Sequence, residues 1–109
     1  MLIDFNSQKE ITFQALNNGN GNVHSKMFMN SSGKIIVTRI EPGASIGLHT
    51  QNTGNDINFI VSGNGKALCN GNEEILTQGN CHYCPKGSSH SIINTGPDDL
   101  VLYTVVQEL

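Results

Sequence analysis

From residue 34 onward the chain is a series of short β-branched or apolar runs, and turn residues cut each one off within eight to twelve positions. "KIIVTRI" (34–40) ends at "EPGAS", and "INFIV" (57–61) ends at "SGNG". "KALC" (66–69) meets "NGN" and then "EEIL" (73–76), and "TGPDD" precedes "LVLYTVV" (100–106). β-Branched residues fit a pleated, half-buried surface, and Asn-Gly between two short runs is a strong hairpin signal. No stretch keeps a helical period. Many short strands at regular spacing, without helices to cross over between them, restrict the chain to an all-β sandwich or barrel.

The first third is less regular. "EITFQAL" (10–16) reads equally as a short strand or a helical turn, and "LNNGNGNVHS" (16–25) is an Asn/Gly-rich connector without regular structure before Val23. The expected organisation is an N-terminal segment over 1–22, strand or loop, either covering the barrel or exchanged with a partner copy. A β-barrel domain over 23–109 follows it.

With 109 residues there is room for one core and not for two. The net charge is −3, and the six Lys and Arg residues are scattered singly. Nucleic-acid binding needs a concentrated basic footprint, so no nucleic-acid partner is expected. No apolar run approaches the roughly 18 residues of a membrane helix, and the start lacks the pattern of a signal peptide. Three cysteines, an odd number, fit reduced thiols in the cytoplasm better than a disulfide framework.

The segment "GNCHYCPKGSSHSIIN" (79–94) invites a thiolate metal clip, because Cys81 and Cys84 stand three apart. In a strand, however, positions i and i+3 face opposite sides. A zinc ribbon needs a second such pair, and a thioredoxin-like motif needs a helix N-terminus. The cysteines are therefore expected to be small buried apolar residues.

The glycines and histidines carry more information. Gly79, Pro85, Gly87, His90 and Asn94 form G-x5-P-x-G-x2-H-x3-N, and Gly43, His49, Gln51, Asp56 and Gly63 form G-x5-H-x-Q-x4-D-x6-G. In order and spacing these resemble the two motifs of the cupin superfamily, in its small single-domain form. The second motif matches at every fixed position. The first departs at two ligands: Gln51 stands where the family usually has a second His, and Asp56 where it usually has Glu. The resemblance spans residues 34–106 and implies a double-stranded β-helix (cupin, or jelly-roll) barrel.

It also implies one divalent transition metal ion per chain (iron, manganese, nickel, cobalt or zinc) held by His49, Gln51, Asp56 and His90. His49 and Gln51 are two apart on one strand and share a face. Asp56 opens the next strand, and His90 follows the Pro-Gly turn. Two imidazoles and one carboxylate leave coordination positions open. The amide at Gln51 and the shorter arm of Asp56 weaken the set. His24 and His82 are read singly as satisfied polar groups; for a metal-dependent enzyme the candidate bases are His82, if it faces inward, or a ligand carboxylate leaving the metal.

Alternation from an inward Asp56 turns Asn58 and Ile60 inward, while Ile57, Phe59 and Val61 face out. His90, Ile92 and Asn94 share a face, so Ile92 is expected in the pocket wall. Over 81–84 the inward pair is either Cys81 with Tyr83 or His82 with Cys84. Asn58, Ile60, Ile92 and Tyr83 are the candidate substrate-binding residues. The functions implied are a metal-dependent isomerase or lyase, or an oxygenase, on a small sugar-like or organic-acid substrate. A non-catalytic binding barrel for a sugar or small effector is the alternative, and an empty interaction barrel ranks third. Pairing of two copies through an apolar outer sheet is expected.

Overall fold

A computed structural model describes all of residues 1–109. It contains ten strands: β1 (Ile11–Gln14), β2 (Asn22–Asn30), β3 (Gly33–Ile40), β4 (Ser45–Thr50), β5 (Gly54–Ser62), β6 (Asn64–Cys69), β7 (Asn72–Thr77), β8 (Cys81–Cys84), β9 (Ser89–Asn94) and β10 (Leu100–Glu108). They form a six-stranded sheet, β1-β2-β3-β10-β5-β8, facing a four-stranded one, β4-β9-β6-β7. Every pairing is antiparallel. This is the double-stranded β-helix barrel that the motifs imply. No helix is long and apolar enough to cross a membrane.

Alternation fills the space between the sheets. On β5, Asp56, Asn58 and Ile60 are buried while Phe59 and Val61 are exposed. Leu100, Leu102 and Thr104 do the same on β10. Val23, Ile40, Ala67, Leu76 and Ile92 complete the apolar end of the barrel. The β6–β7 hairpin turns on Asn70 and Gly71, both at positive φ (49° and 84°). Those angles define the tight hairpin turn that the Asn-Gly signal predicts.

The N-terminal segment lies along β2 and β4. "EITFQAL" resolves into both of its possible forms: strand β1, paired with β2, and then a 3-10 turn over Leu16–Asn18. Arg39 on β3 clamps the start of β1. Its Nε and Nη2 donate to the two carboxylate oxygens of Glu10 at 2.7 and 2.9 Å, and its Nη1 donates to Asp99 at 3.1 Å. The turn at 16–18 lies on β4, where it caps one side of the barrel. Backbone packs so tightly there that a Cβ on Gly47 would meet the Asn17 carbonyl oxygen at 2.1 Å.

Strand β2 occupies Asn22–Asn30, starting where the irregular part of the connector ends at Val23 and filling a stretch that shows no regular signal before Lys34. Its cavity-facing positions include Ser25, so an apolar alternation never develops along it.

Candidate metal centre

The four motif residues come together at one end of the barrel, brought there by register. His49 on β4 lies directly opposite His90 on β9. Gln51, just past the end of β4, is fixed by backbone hydrogen bonds with Ser88 and Gly87 across the Pro-Gly turn, at 2.9 and 2.7 Å. Asp56 projects from β5 in the facing sheet and is buried.

Their tips converge closely. The Nε2 atoms of His49 and His90 are 3.1 Å apart. The Gln51 amide nitrogen lies 3.1 Å from His49 Nε2, 3.0 Å from His90 Nε2 and 3.2 Å from Asp56 Oδ2. His90 Nε2 is 3.2 Å from Asp56 Oδ2. Two donors each about 2.1 Å from one ion, and at right angles to each other, stand about 3.0 Å apart. The observed spacing has that scale.

Proton placement supports the same reading. His49 Nδ1 faces the Gly47 carbonyl oxygen at 2.8 Å, so Nδ1 carries the proton and the Nε2 lone pair points to the centre. The carboxylate of Asp56 also only accepts. Where His90 Nε2 is bare as well, the two amide hydrogens of Gln51 face three acceptor atoms, an excess that a cation would relieve. A half-turn of the Gln51 amide would place its oxygen there as a further donor atom. His, Cys, Asp and Glu alone nowhere form a group of three placed to hold a metal ion. Gln51 touches His49, Asp56 and His90, while His90 also meets Asp56 directly. The donor chemistry fits a divalent ion on these terms.

Beside the centre opens a cavity of about 330 Å³. Its wall includes Asn58, Ile92, Ile46, Leu102 and Val106 from the barrel, with Phe13 and Leu16 from the N-terminal segment. Lys34 and Glu108 are its ionisable groups besides the motif residues. Two polar pairs in the wall are already engaged. Thr104 donates to the Asn58 Oδ1 at 2.7 Å, and Ser25 and Thr38 share a hydrogen bond at 3.1 Å. The Asn58 amide nitrogen donates to the His82 carbonyl oxygen at 3.3 Å.

The other candidate residues divide. Asn58 and Ile92 reach the cavity wall, whereas Ile60 is buried in the apolar core below it. Tyr83 does not reach the cavity. On β8 the inward pair is His82 with Cys84, because Asn58 and His82 are register partners and share a face. Tyr83 lies 49% exposed on the outer face. Cys81 is exposed as well, so only Cys84 behaves as the small buried residue expected of both. Burial, followed by the neighbouring Cys69, pushes the Cys84 thiol up to about 12, far from a thiolate ligand.

His82, a candidate base only if it faced inward, is fully buried beside the centre. Its Nε2 is 2.8 Å from His90 Nδ1, and its Nδ1 is 2.7 Å from Glu74 Oε1.

Residues 36–106 match the family model described as a cupin domain. An oxalate-binding protein of Thermotoga maritima is 32% identical over 106 residues, which cover 89% of this chain and 88% of that protein. A crystal structure of a predicted oxalate decarboxylase from Thermotoga maritima superposes with a TM-score of 0.94 at 25% identity, covering both chains fully. The cupin domain of Schizosaccharomyces pombe Cnp3 shares the fold, with a TM-score of 0.76 at 15% identity over 94% of this chain and 89% of that one. With the barrel, both motifs and a family match over most of its length, the chain belongs to the cupin family.

Proposed function

We propose that this cupin holds one divalent transition metal ion with His49, Gln51, Asp56 and His90, and uses it to bind a small organic acid in the adjoining cavity. The observation that carries the reading is the convergence of acceptor atoms from His49, His90 and Asp56 around the Gln51 amide. When bound, such an ion supplies a Lewis acid for the oxygens of a carboxylate. The protein's part is to orient and to exclude water. His49 and His90 aim their Nε2 atoms from paired strands, and Asp56 offsets one unit of charge. Ile46, Ile92, Leu102 and Val106 give the ligand a largely apolar wall. Lys34 offers a cation to a second carboxylate. The cavity, about 330 Å³, is at the small end of ligand sites, which suits a compact acid better than an oligosaccharide. The oxalate-binding relative points to the same ligand class.

Turnover of the bound acid is the second reading, favoured by the solved relative described as a predicted oxalate decarboxylase. Decarboxylation is itself a lyase reaction, so this reading falls within the metal-dependent lyase chemistry that the motifs imply.

We further place the protein in a reducing compartment such as the cytoplasm, in keeping with its three free thiols. A second copy would lie on the outer face of the six-stranded sheet.

The test is elemental analysis of untagged protein prepared without chelator, beside His90→Ala, followed by calorimetry with oxalate. About one metal ion per chain, lost in the variant, with oxalate bound only by the loaded protein, is the expected result. Formate or carbon dioxide appearing from oxalate would favour the enzyme. No metal uptake even after reconstitution would overturn the reading.

A further inference from the structure

Behind His90, on the side away from the cavity, two residues from opposite sheets make a hydrogen-bonded chain. His82 projects from β8, at the edge of the six-stranded sheet, and Glu74 from β7, at the edge of the four-stranded sheet. The contacts run Glu74 Oε1 to His82 Nδ1 at 2.7 Å, then His82 Nε2 to His90 Nδ1 at 2.8 Å. The two imidazoles have ring centroids 5.1 Å apart and planes tilted by 31°. His82 and His90 are fully buried, while the Glu74 side chain is 43% exposed. Without His82, the inner nitrogen of His90 would be a buried polar atom with no partner, which is costly.

We infer that Glu74 and His82 are positioning residues that fix the tautomer of His90 and turn its Nε2 lone pair towards the four-residue centre. A carboxylate only accepts, so the proton of neutral His82 sits on Nδ1. Its Nε2 then accepts, which puts the proton of His90 on Nδ1 and leaves Nε2 bare. Around His90 Nε2 stand one donor, the Gln51 amide nitrogen at 3.0 Å, and two acceptors, His49 Nε2 at 3.1 Å and Asp56 Oδ2 at 3.2 Å, so the chain through His82 is what sets this ring's tautomer. His49 reaches the same state through a single backbone carbonyl. The two imidazoles are thus held by different means, one by a fixed main-chain group and one by a side-chain chain ending in water. Partners of this kind orient a metal-ligating imidazole and raise its basicity. The consequence for metal affinity rests on the reading proposed above; the tautomer does not.

Glu74 is the place to test this, because it is half exposed and its loss leaves the core intact. Histidine-labelled, metal-free protein at mildly alkaline pH is compared with Glu74→Ala and Glu74→Gln by long-range proton–nitrogen correlation NMR. The expected result is His82 and His90 both protonated on Nδ1 in the parent protein and in Glu74→Gln, whose amide oxygen still accepts. In Glu74→Ala, His90 becomes a mixture of tautomers. Three findings would overturn the inference: His90 protonated on Nε2 in the parent protein, His82 carrying two protons, or a His90 tautomer unmoved in Glu74→Ala. Zinc affinity, by competition with a chromophoric chelator, is the second readout. A loss of roughly 10- to 100-fold in Glu74→Ala, and a smaller one in Glu74→Gln, is expected. If the tautomers behave as expected but zinc binds neither protein, the metal centre fails and the positioning pair stands.

Discussion

The Nε2 atoms of His49 and His90 face each other at 3.1 Å, and what fills the space beside them is the amide of Gln51. An amide is a weaker ligand than imidazole, and in its present orientation it offers hydrogen atoms where a cation would sit. Gln51→His replaces it with a ring nitrogen on the same strand face. Zinc affinity is expected to rise roughly tenfold or more, as softer nitrogen ligands suit this ion. Gln51→Ala is expected to lower it, since one of the four candidate donor groups is lost. Chelator competition on both variants checks this; equal affinities in all three proteins would show that residue 51 does not touch the ion.

The turn that brings Leu16 and Asn17 to the cavity wall rests on two close approaches. A Cβ at Gly47 would come within 2.1 Å of the Asn17 carbonyl oxygen, and one at Gly19 within 2.3 Å of the Ser45 carbonyl oxygen. Gly47→Ala must therefore lift the 16–20 turn, with Leu16 and Asn17, off β4. The expected cost is about 1–3 kcal/mol in urea unfolding, together with faster proteolysis between residues 14 and 22. Unchanged cleavage there would mean that the turn is held by β1 alone.

These features differ in how far the sequence discloses them. Turn chemistry is local, so Asn70-Gly71 and the motif glycines could be read directly, and the barrel with them. The convergence of His49, Gln51, Asp56 and His90 is what the family resemblance implies, but the contacts among them depend on the pairing of β4 with β9. Strand parity failed at "CHYC", where four residues of similar polarity give no preferred face. Only the register of Asn58 with His82 decides that Tyr83 points outward. β2 escaped because a cavity wall that includes Ser25 does not look like a buried strand. Glu74 and His82 are joined by two sheet edges closing on each other, and nothing in their separation of eight residues announces it.

Beside its backbone pairing with β2, β1 is pinned at its start by the Arg39–Glu10 ion pair, which acid should weaken. The hydrogen bond from Arg39 holds the Glu10 carboxyl below its ordinary range, and the one from His24, at 2.5 Å, does the same for Glu41. A carboxyl depressed in the folded state adds stability above its unfolded pKa of about 4.3, and that stability disappears as pH falls through the folded value. Backbone amides of 11–14 are thus expected to stay protected at neutral pH and to open ahead of the rest of the barrel in acid. Hydrogen exchange, corrected for intrinsic rates, follows this. In Arg39→Gln the strand should be less protected already at neutral pH. Release of β1 at the same pH as β10 would refute a separate clamp.

Ile40 is fully buried at the apolar end, clear of the centre. Ile40→Ala is expected to cost about 2–5 kcal/mol of unfolding free energy, because the cavity it leaves cannot collapse between two hydrogen-bonded sheets. Metal affinity should stay within about twofold of the parent. A large loss of affinity would mean that the core and the centre are more tightly coupled than their separation suggests.

The outer face of the six-stranded sheet bears on the proposed pairing of two copies. Register sets Tyr103 beside Phe59 and Val105 beside Ile57, with Tyr83 next to Ile57 on the other side. Phe59, Tyr83 and Tyr103 are 45–50% exposed, and Val61 and Val105 add to the same patch. An exposed apolar surface continuous over three strands is unusual for a monomer, and its aromatic content is that of an interface core. An antiparallel sheet face is also easily matched to a copy of itself about a two-fold axis. Sedimentation equilibrium is expected to give twice the chain mass at micromolar concentration. Phe59→Asp with Tyr103→Asp should give single chains that still bind zinc, since both side chains point away from the centre. A parent protein that remains monomeric at high micromolar concentration would require another explanation for this face. Dissociation that also abolishes zinc binding would show that the barrel needs its partner to hold the strands carrying Asp56 in place.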